Sequence, residues 1–303
     1  MSSELQASSL GAPGVHDIPS VDYHAMPAIS RSWLKILVKE TPADFAWRRN
    51  HGIQETDAMR LGTRLHTAVL EPDEYANRYA TFPREINRKL GETRGIRHEK
   101  YRGRIEWDKA QEQRYRAAMR TRGVEIITEE EMQEDRLVAR EVRSRKAVQL
   151  LTAGGHAERS LVWQDEKTGL WVKARPDWWD VERGVYVDLK STNRFDERHL
   201  DKSITDHCID MQFAMVAEGC RALDLPVPTS NVVLWVRTTG RPECRAEALQ
   251  ADVVERGAYF FRKALDLYAE CLRTDKWEGE PTTIQPRTLT KWSANYRDEE
   301  SAA

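Results

Sequence analysis

Two short stretches of the sequence carry residues that suit metal-assisted phosphate chemistry: Pro176-Asp177 and Asp188-Leu189-Lys190. Glu182-Arg183-Gly184 lies between them and is typical of a turn, so we expect the flanking strands to pair as a hairpin. Pairing would bring Asp177 and Asp188 to one edge of a sheet. Two close carboxylates repel each other unless a cation lies between them, and their oxygen atoms suit Mg²⁺ or Mn²⁺.

Lys190 extends this pattern because it is two residues from Asp188, so both side chains face the same side of a strand. A lysine beside two carboxylates and a metal can orient a water nucleophile and stabilise negative charge on a phosphate. The alternative is an ordinary surface ion pair, since Asp-x-Lys at a strand end is common. The motif by itself therefore leaves both interpretations open.

Two more residues could complete a metal site. Glu158 is expected on the preceding strand, where it could supply a third carboxylate. His66 lies on a predicted helix over 57–70, whose apolar residues repeat at helical spacing. A single histidine on a helix is more often structural, so its value as a ligand depends on the other members of the set.

The elements that must position these residues form a mixed pattern. We predict helices over 30–38, from Pro42, over 57–70, from Pro72, from Trp107, over 129–151, on either side of Met211 to Leu223, and over 251–273. We predict strands over 158–164, 170–177, 185–189, 231–238 and 245–249. The fold class is therefore mixed α/β or α+β, with a helical N-terminal half and a central mixed sheet flanked by helices.

The bulk properties are those of a globular protein of 303 residues with a net charge of −2. We expect a mobile segment over 1–20, one domain over 21–278 and a flexible tail over 279–303. The sequence has no apolar run of about 18 residues, so no membrane span is expected. The four cysteines form no CxxC pair and the N-terminus does not resemble a secretory signal, which together favour a cytoplasmic protein with free thiols.

The order of the motifs resembles that of the PD-(D/E)xK nuclease superfamily, and within it the RecE-type (exonuclease VIII-like) exonucleases of phages and prophages. The resemblance runs from about residue 20 to 275. It rests on five segments: YHAMPAISRSWL (Tyr23 to Leu34), GTRLHTAVLEP (Gly62 to Pro72), the strand of Glu158, RPDWWD (Arg175 to Asp180) and VDLKST (Val187 to Thr192). Relatives often carry Q-x-x-x-Y after the lysine strand, whereas here Gln212 is followed by Val216.

The resemblance implies a restriction-endonuclease-like core and a role for each matching residue. The implied metal ligands are His66, Asp177, Asp188, the carbonyl of Leu189 and, near a second metal, Glu158. Lys190 would be catalytic together with Asp177, Asp188 and Glu158, and Gln212 would lie near the site or the DNA. Two Mg²⁺ ions are expected, for which Mn²⁺ could substitute.

The family activity is 5′-to-3′ digestion of one strand of linear double-stranded DNA, yielding 5′-mononucleotides and leaving a 3′ overhang. The resemblance also implies a ring of identical subunits, trimer or tetramer, and a RecT-type single-strand annealing protein as partner in DNA recombination and repair.

Several basic residues are candidates for contacts to DNA. The stretch from Arg84 to Arg122 carries thirteen lysines and arginines against six acidic residues; it suits phosphates, but it would equally suit a solvated helix face with i,i+4 pairs. For the DNA end we consider Ser30, Arg31, Ser32, Arg60, Arg64 and Arg175. Helix capping is the alternative for Ser30 and Ser32.

Other functions on the same fold stay open. One is a RecB- or Cas4-like nuclease or a structure-specific endonuclease, although Cas4-like proteins use four cysteines for an iron–sulfur cluster and the cysteines here are scattered between Cys208 and Cys271. Another is a DNA-end-binding module without catalysis, against which the intact set of candidate ligands argues.

Overall fold

The computed structural model describes residues 12–82 and 109–287. The helices are α1 (Ser20–Ala25), α2 (Arg31–Lys39), α3 (Pro42–His51), α4 (Asp57–Leu70), α5 (Pro72–Arg78), α6 (Lys109–Arg120), α7 (Glu129–Ser144), α8 (Lys146–Leu151), α9 (Glu197–Asp206), α10 (Ile209–Ala222) and α11 (Ala251–Thr274). The strands are β1 (Gly14–His16), β2 (Tyr79–Thr81), β3 (Glu125–Ile127), β4 (His156–Ala157), β5 (Ser160–Gln164), β6 (Trp171–Ala174), β7 (Trp178–Asp180), β8 (Val185–Thr192), β9 (Ser230–Arg237) and β10 (Cys244–Ala248).

The main sheet has five strands in the order β10-β9-β8-β7-β4. Only β8 and β9 are parallel within it; they pair from Val185 with Ser230 to Thr192 with Arg237, and the other neighbours are antiparallel. The parallel pair requires a crossover, which α9 and α10 provide. A second sheet, β1-β5-β6, is antiparallel, and β2 pairs with β3. The prediction of a mixed sheet flanked by helices is confirmed.

Both faces of the main sheet are covered because its two central strands are apolar on both sides. On one face, Tyr186 of β8 and Trp235 of β9 pack with α2, α10 and α11 in one apolar cluster. On the other face, Val187 and Leu189 of β8 pack with α4 and α7 in a second cluster. Each such side chain contributes about 2 kcal/mol when it is buried, so β8 is held firmly between two helical layers.

Two strands leave one sheet and enter the other, which was not predicted. The expected strand over 158–164 begins only at Ser160, and Glu158, which has a φ of 56°, lies between β4 and β5. The expected strand over 170–177 ends at Ala174, and Asp177 lies in the gap before β7. The Glu158 N–H donates to the Asp177 carbonyl at 3.3 Å across this crossing. Glu158 is therefore not on a strand, and both acids lie where the chain changes sheets.

The predicted helix over 129–151 is two helices. Thr128 and Glu131 form a capping box at the start of α7, as expected for Thr-x-x-Glu. Arg145 then takes an extended conformation and serves as both the C-cap of α7 and the N-cap of α8. The predicted helix from Trp107 is described only from Lys109, and most of the basic stretch lies outside the described residues.

The segment predicted to be mobile over 1–20 contains regular structure. Gly14–His16 pairs with β5 in register with Ser160 to Val162, and α1 begins at Ser20. At the other end, the Ala43 N–H donates to the Glu278 carbonyl and Trp277 stacks on Phe45. Among the helices of the described ranges, none has the length and apolar character of a membrane span.

Candidate metal centre and active site

The β7–β8 hairpin brings the two motif aspartates together. Trp178 pairs with Val187, so Asp177 and Asp188, the next residue outward on each strand, are neighbours. The Leu189 N–H donates to Asp177 Oδ2 at 2.7 Å. This hydrogen bond fixes the Asp177 carboxylate against β8 and completes the expected convergence.

His66 and Glu158 join Asp177 from other parts of the chain. His66 Nε2 lies 3.0 Å from Asp177 Oδ2, and His66 Nδ1 lies 3.4 Å from Glu158 Oε1. One ligand atom from each residue falls within 4.8 Å of the others. A histidine ring can give a metal one nitrogen, and the other nitrogen then keeps a carboxylate as its acceptor. Two carboxylates beside one imidazole serve both purposes.

Lys190 lies beside this group. Its Nζ is 2.6 Å from Asp188 Oδ2 and 4.0 Å from Asp177 Oδ2, and it donates to the Leu189 carbonyl at 3.3 Å. Asp188 is completely buried. The interpretation of Asp188 and Lys190 as an ordinary surface ion pair is therefore wrong.

Opposing charges set the protonation of the cluster. Burial would lower the pKa of His66, but the Asp177 and Glu158 carboxylates raise it to about 9. Burial would raise the pKa of Asp177, yet the His66 and Lys190 cations hold it well below its usual range. In the absence of a metal, His66 is therefore a cation held between two carboxylates.

Burial disfavours the charged forms of the other two carboxyl groups, those of Asp188 and Glu158. Burial raises the pKa of Asp188 to about 6, with Lys190 opposing and Asp177 adding to the rise. Burial also raises the pKa of Glu158, against the His66 cation. Within the described chain no donor reaches Asp188 Oδ1. A buried carboxylate oxygen without a hydrogen bond, near the Asp177 carboxylate, fits a divalent cation.

Arg175, a candidate DNA contact, is engaged by groups within the protein. Its side chain is 7% exposed and lies under the Tyr23 ring, with the guanidinium 4.1 Å from the ring centre. It donates to Ser160 Oγ at 2.8 Å, to the Ile18 carbonyl at 3.0 Å and to Glu158 Oε2 at 3.4 Å. Arg175 therefore orients the Glu158 carboxylate from within the protein.

Arg64, another candidate DNA contact, is also engaged within the protein. Its Nε donates to Asp135 Oδ2 at 2.8 Å and its Nη1 to Glu131 Oε1 at 2.9 Å. Tyr75 donates to the same Asp135 oxygen at 2.8 Å. Asp135 and the Arg64 side chain are both buried, so this network joins α4, α5 and α7 and fixes the helix that carries His66.

Arg31 and Gln212, two further candidate DNA contacts, are joined by a hydrogen bond. Arg31 Nη2 donates to Gln212 Oε1 at 2.8 Å, and Nη1 donates to the His207 carbonyl at 3.1 Å. Ser30 is the N-cap residue of α2, but its side chain makes no capping hydrogen bond, and Ser32 is exposed. The exposed Arg60 pairs with Asp57.

Two tyrosines that pack against residues of the site, Tyr23 and Tyr186, were not identified from the sequence. Tyr23 covers Arg175, and Tyr186 lies under Asp188 on β8, where burial and the Asp188 and Asp177 charges raise its pKa well above the usual value. The Tyr186 ring packs on Phe213 of α10 at 4.4 Å between centroids. Alternation along β8 places Tyr186 on the same face as Asp188, so the sequence could have indicated its position. Nothing in the sequence indicated the contact between Tyr23 and Arg175.

The fold and this site define a protein of the PD-(D/E)xK class. The chain belongs to the family described as PDDEXK-like domain of unknown function (DUF3799), whose model matches residues 30–285. Its fold is similar to that of a crystal structure from Eubacterium rectale described as a "Putative exonuclease", with a TM-score of 0.54, 11% identity, and coverage of 93% of this chain and 99% of that chain. No curated protein matches the sequence significantly. These findings support a nuclease.

Proposed function

We propose that the protein is a Mg²⁺-dependent exonuclease that digests one strand of linear double-stranded DNA from 5′ to 3′. The observation that carries the proposal is the cluster of His66, Glu158 and Asp177 beside Asp188 and Lys190. The family match supports nuclease chemistry, and the order of motifs that resembles RecE-type exonucleases supports the polarity.

We assign each residue of the cluster a role according to its position. His66, Glu158 and Asp177 would hold a divalent ion, and the resemblance adds Asp188 and the Leu189 carbonyl, both beside Lys190, as further ligands. When bound, such an ion acidifies a water molecule and neutralises charge on the phosphate. Lys190, held beside Asp188, donates hydrogen bonds to the attacking water or to a phosphate oxygen. Water attack on the scissile phosphorus breaks its bond to the 3′ oxygen. The released 5′-mononucleotide leaves with a 3′-hydroxyl, and the attacked phosphate becomes the 5′-phosphate of the shortened strand.

The finer features rest on the resemblance. We propose two metal ions per site with Mn²⁺ as a substitute, a 3′ overhang as the product, a ring of three or four subunits, and a RecT-type annealing protein that receives the overhang. Gel filtration with light scattering tests the ring: a stable monomer at micromolar concentration would contradict it. Capture of the overhang by an annealing protein of that type tests the partner.

The alternatives on this fold predict different products. A structure-specific endonuclease would nick closed circular DNA, and a non-catalytic module would bind ends without digesting them. An iron–sulfur nuclease needs cysteines gathered at one place. Within the described residues the cysteines are free and form no group of three metal ligands.

The test compares digestion of linear duplex carrying 5′-phosphate or 5′-hydroxyl ends with digestion of closed circles, with and without Mg²⁺. We expect the 5′-phosphorylated linear DNA alone to be degraded, and only with the metal. Lys190→Ala should lower the rate by about 10²–10³-fold while DNA binding persists. Lys167→Ala, at the distant β5–β6 turn, is the matched control. Normal digestion by Lys190→Ala, or nicking of circles, would contradict the proposal.

A further inference from the structure

Helix α2 carries a row of three cations, of which only the first, Arg31, contacts the candidate active site. Arg31, Lys35 and Lys39 are spaced four residues apart, so they lie on one side of the helix. They are about 6 Å apart along the helix axis. Leu34 and Leu37 are buried and occupy the opposite side. We call these three cations the α2 row.

One end of the α2 row touches the active site. Arg31 holds Gln212 and the His207 carbonyl through two hydrogen bonds. Its charge also reaches Asp188, where it acts to lower the pKa of that carboxyl against the larger effect of burial. The row therefore starts beside the reacting groups and leads away from them along α2.

Lys35, in the middle of the row, is half-buried and lacks a counter-ion. No hydrogen-bond or ion-pair partner for its ammonium occurs in the described chain. Burial and the Arg31 cation both lower the pKa of Lys35. The pKa of His207, which lies alongside, is lowered by burial and by the Lys35 and Arg31 cations. An anion between these groups would relieve their mutual repulsion.

The nearest carboxylates do not supply that anion fully. Glu40 accepts a hydrogen bond from Arg48, and the buried Asp210 pairs with Arg256. Asp206 lies 3.6 Å from Lys39, with both side chains partly exposed, and such a pair is weak in water. The positive charge of the row is therefore available to a ligand, most strongly at Lys35.

We propose that the α2 row binds successive backbone phosphates of the DNA strand that is being cut. This proposal rests on the proposed function. Three cations spaced regularly along a convex helix cannot converge on a single phosphate, so the row fits a linear polyanion better than a nucleotide or a free phosphate. The spacing of the cations is comparable to that of neighbouring phosphates on one strand.

The test is the salt dependence of DNA binding. Each phosphate contact releases counter-ions, so its loss lowers the slope of log affinity against log salt by about 1. Binding of linear duplex is measured by fluorescence anisotropy in Ca²⁺, and digestion is followed separately in Mg²⁺. We expect Lys35→Met to lower the slope by about 1 and Lys35→Met with Lys39→Met to lower it further. Lys167→Met, which removes a lysine paired with Asp266, should leave it unchanged.

A second measurement locates the contact on the DNA. Methylphosphonates, which are uncharged, replace one phosphate at a time on either side of the scissile position. In the wild type, one or more neighbouring positions should weaken binding, and the penalty at one position should disappear in Lys35→Met.

The outcomes separate the two proposals. Suppose that the wild type binds and digests DNA while Lys35→Met keeps both the salt slope and the methylphosphonate penalties. The proposal that the α2 row binds phosphates is then wrong, and the proposed function stands. If the wild type neither binds nor digests DNA, both fail together. Thermal unfolding of Lys35→Met verifies that the variant is folded.

Discussion

The β5–β6 turn and the candidate metal cluster satisfy their acids in opposite ways. At the turn, Asp165 accepts two hydrogen bonds from Arg262, at 2.7 and 3.1 Å, and two more from Thr168. Although burial opposes it, these bonds lower the pKa of Asp165. In the metal cluster, burial raises the pKa of Glu158 and Asp188, and Asp188 Oδ1 has no donor among the described residues.

The satisfied pattern recurs away from the site. Asp180 accepts from Arg183, which also donates to the Leu150 and Leu151 carbonyls. Asp135 accepts from Arg64 and Tyr75 at Oδ2, although its Oδ1 has no donor among the described residues. A buried carboxylate with too few donors is costly. Asp188 differs from Asp135 because a second carboxylate, that of Asp177, raises its pKa further, and two carboxylates so placed point to a cation. The contrast distinguishes acids that hold the fold from acids that serve chemistry.

The strongest test of this contrast replaces one acid of each kind by asparagine. Asp188→Asn should lower the rate of DNA digestion by about 10²–10³-fold without lowering the stability of the metal-free protein, because the amide removes a buried charge. Asp165→Asn should leave the rate unchanged and lower the free energy of unfolding by about 2 kcal/mol, because it weakens charged hydrogen bonds. Rates in Mg²⁺ and urea unfolding in EDTA measure the two effects.

Equal losses of stability in Asp188→Asn and Asp165→Asn would contradict the distinction between acids that hold the fold and acids that serve chemistry. A loss of digestion in Asp165→Asn at a temperature where it is fully folded would do the same.

The pH dependence of stability should expose the His66 cation. A group whose pKa is raised on folding stabilises the protein below its unfolded pKa and loses that contribution as the pH rises through the folded value. For His66 the window runs from 6.5 to about 9, which corresponds to about 3 kcal/mol. Thermal unfolding in EDTA should therefore show stability falling across this window.

Mg²⁺ should oppose the fall, because a metal replaces the proton between the same carboxylates. His66→Gln should flatten the curve in EDTA. A wild-type curve that is already flat between pH 6.5 and 9 would contradict the placement of His66 between Asp177 and Glu158.

The sequence was informative where the pattern is local. Alternation and turn residues predicted the hairpin that joins Asp177 to Asp188, and helical spacing predicted the helix that carries His66. Glu158 was placed on a strand, because nothing in its type indicates a positive φ; a non-glycine residue adopts one only when its surroundings require it.

Contacts between distant residues were beyond reach. Arg64 looked like a DNA contact because it is basic and near His66 in the chain. Its partners, Glu131 and Asp135, are 67 and 71 residues away. Nothing in a local pattern records such a pairing, and the same is true of Arg175 under Tyr23.

The smallest expected effect concerns Arg175, where the two kinds of region meet. Arg175 is fully engaged like the arginines of the structural pairs, but one of its partners is the candidate ligand Glu158. Removing a group that orients a ligand weakens metal affinity by about 10–100-fold. Arg175→Met should therefore weaken Mg²⁺ binding, measured by calorimetry, and raise the Mg²⁺ concentration needed for half-maximal digestion.

The rate of Arg175→Met at saturating Mg²⁺ should recover towards that of the wild type, and Arg175→Lys should recover part of the affinity. Arg183→Met is the control, since it breaks a comparable pair with Asp180 and the hydrogen bonds of Arg183 go to no candidate ligand. If both variants lose stability alike and neither changes Mg²⁺ affinity, Arg175 belongs with the structural pairs and the boundary between the two regions lies at Glu158 itself.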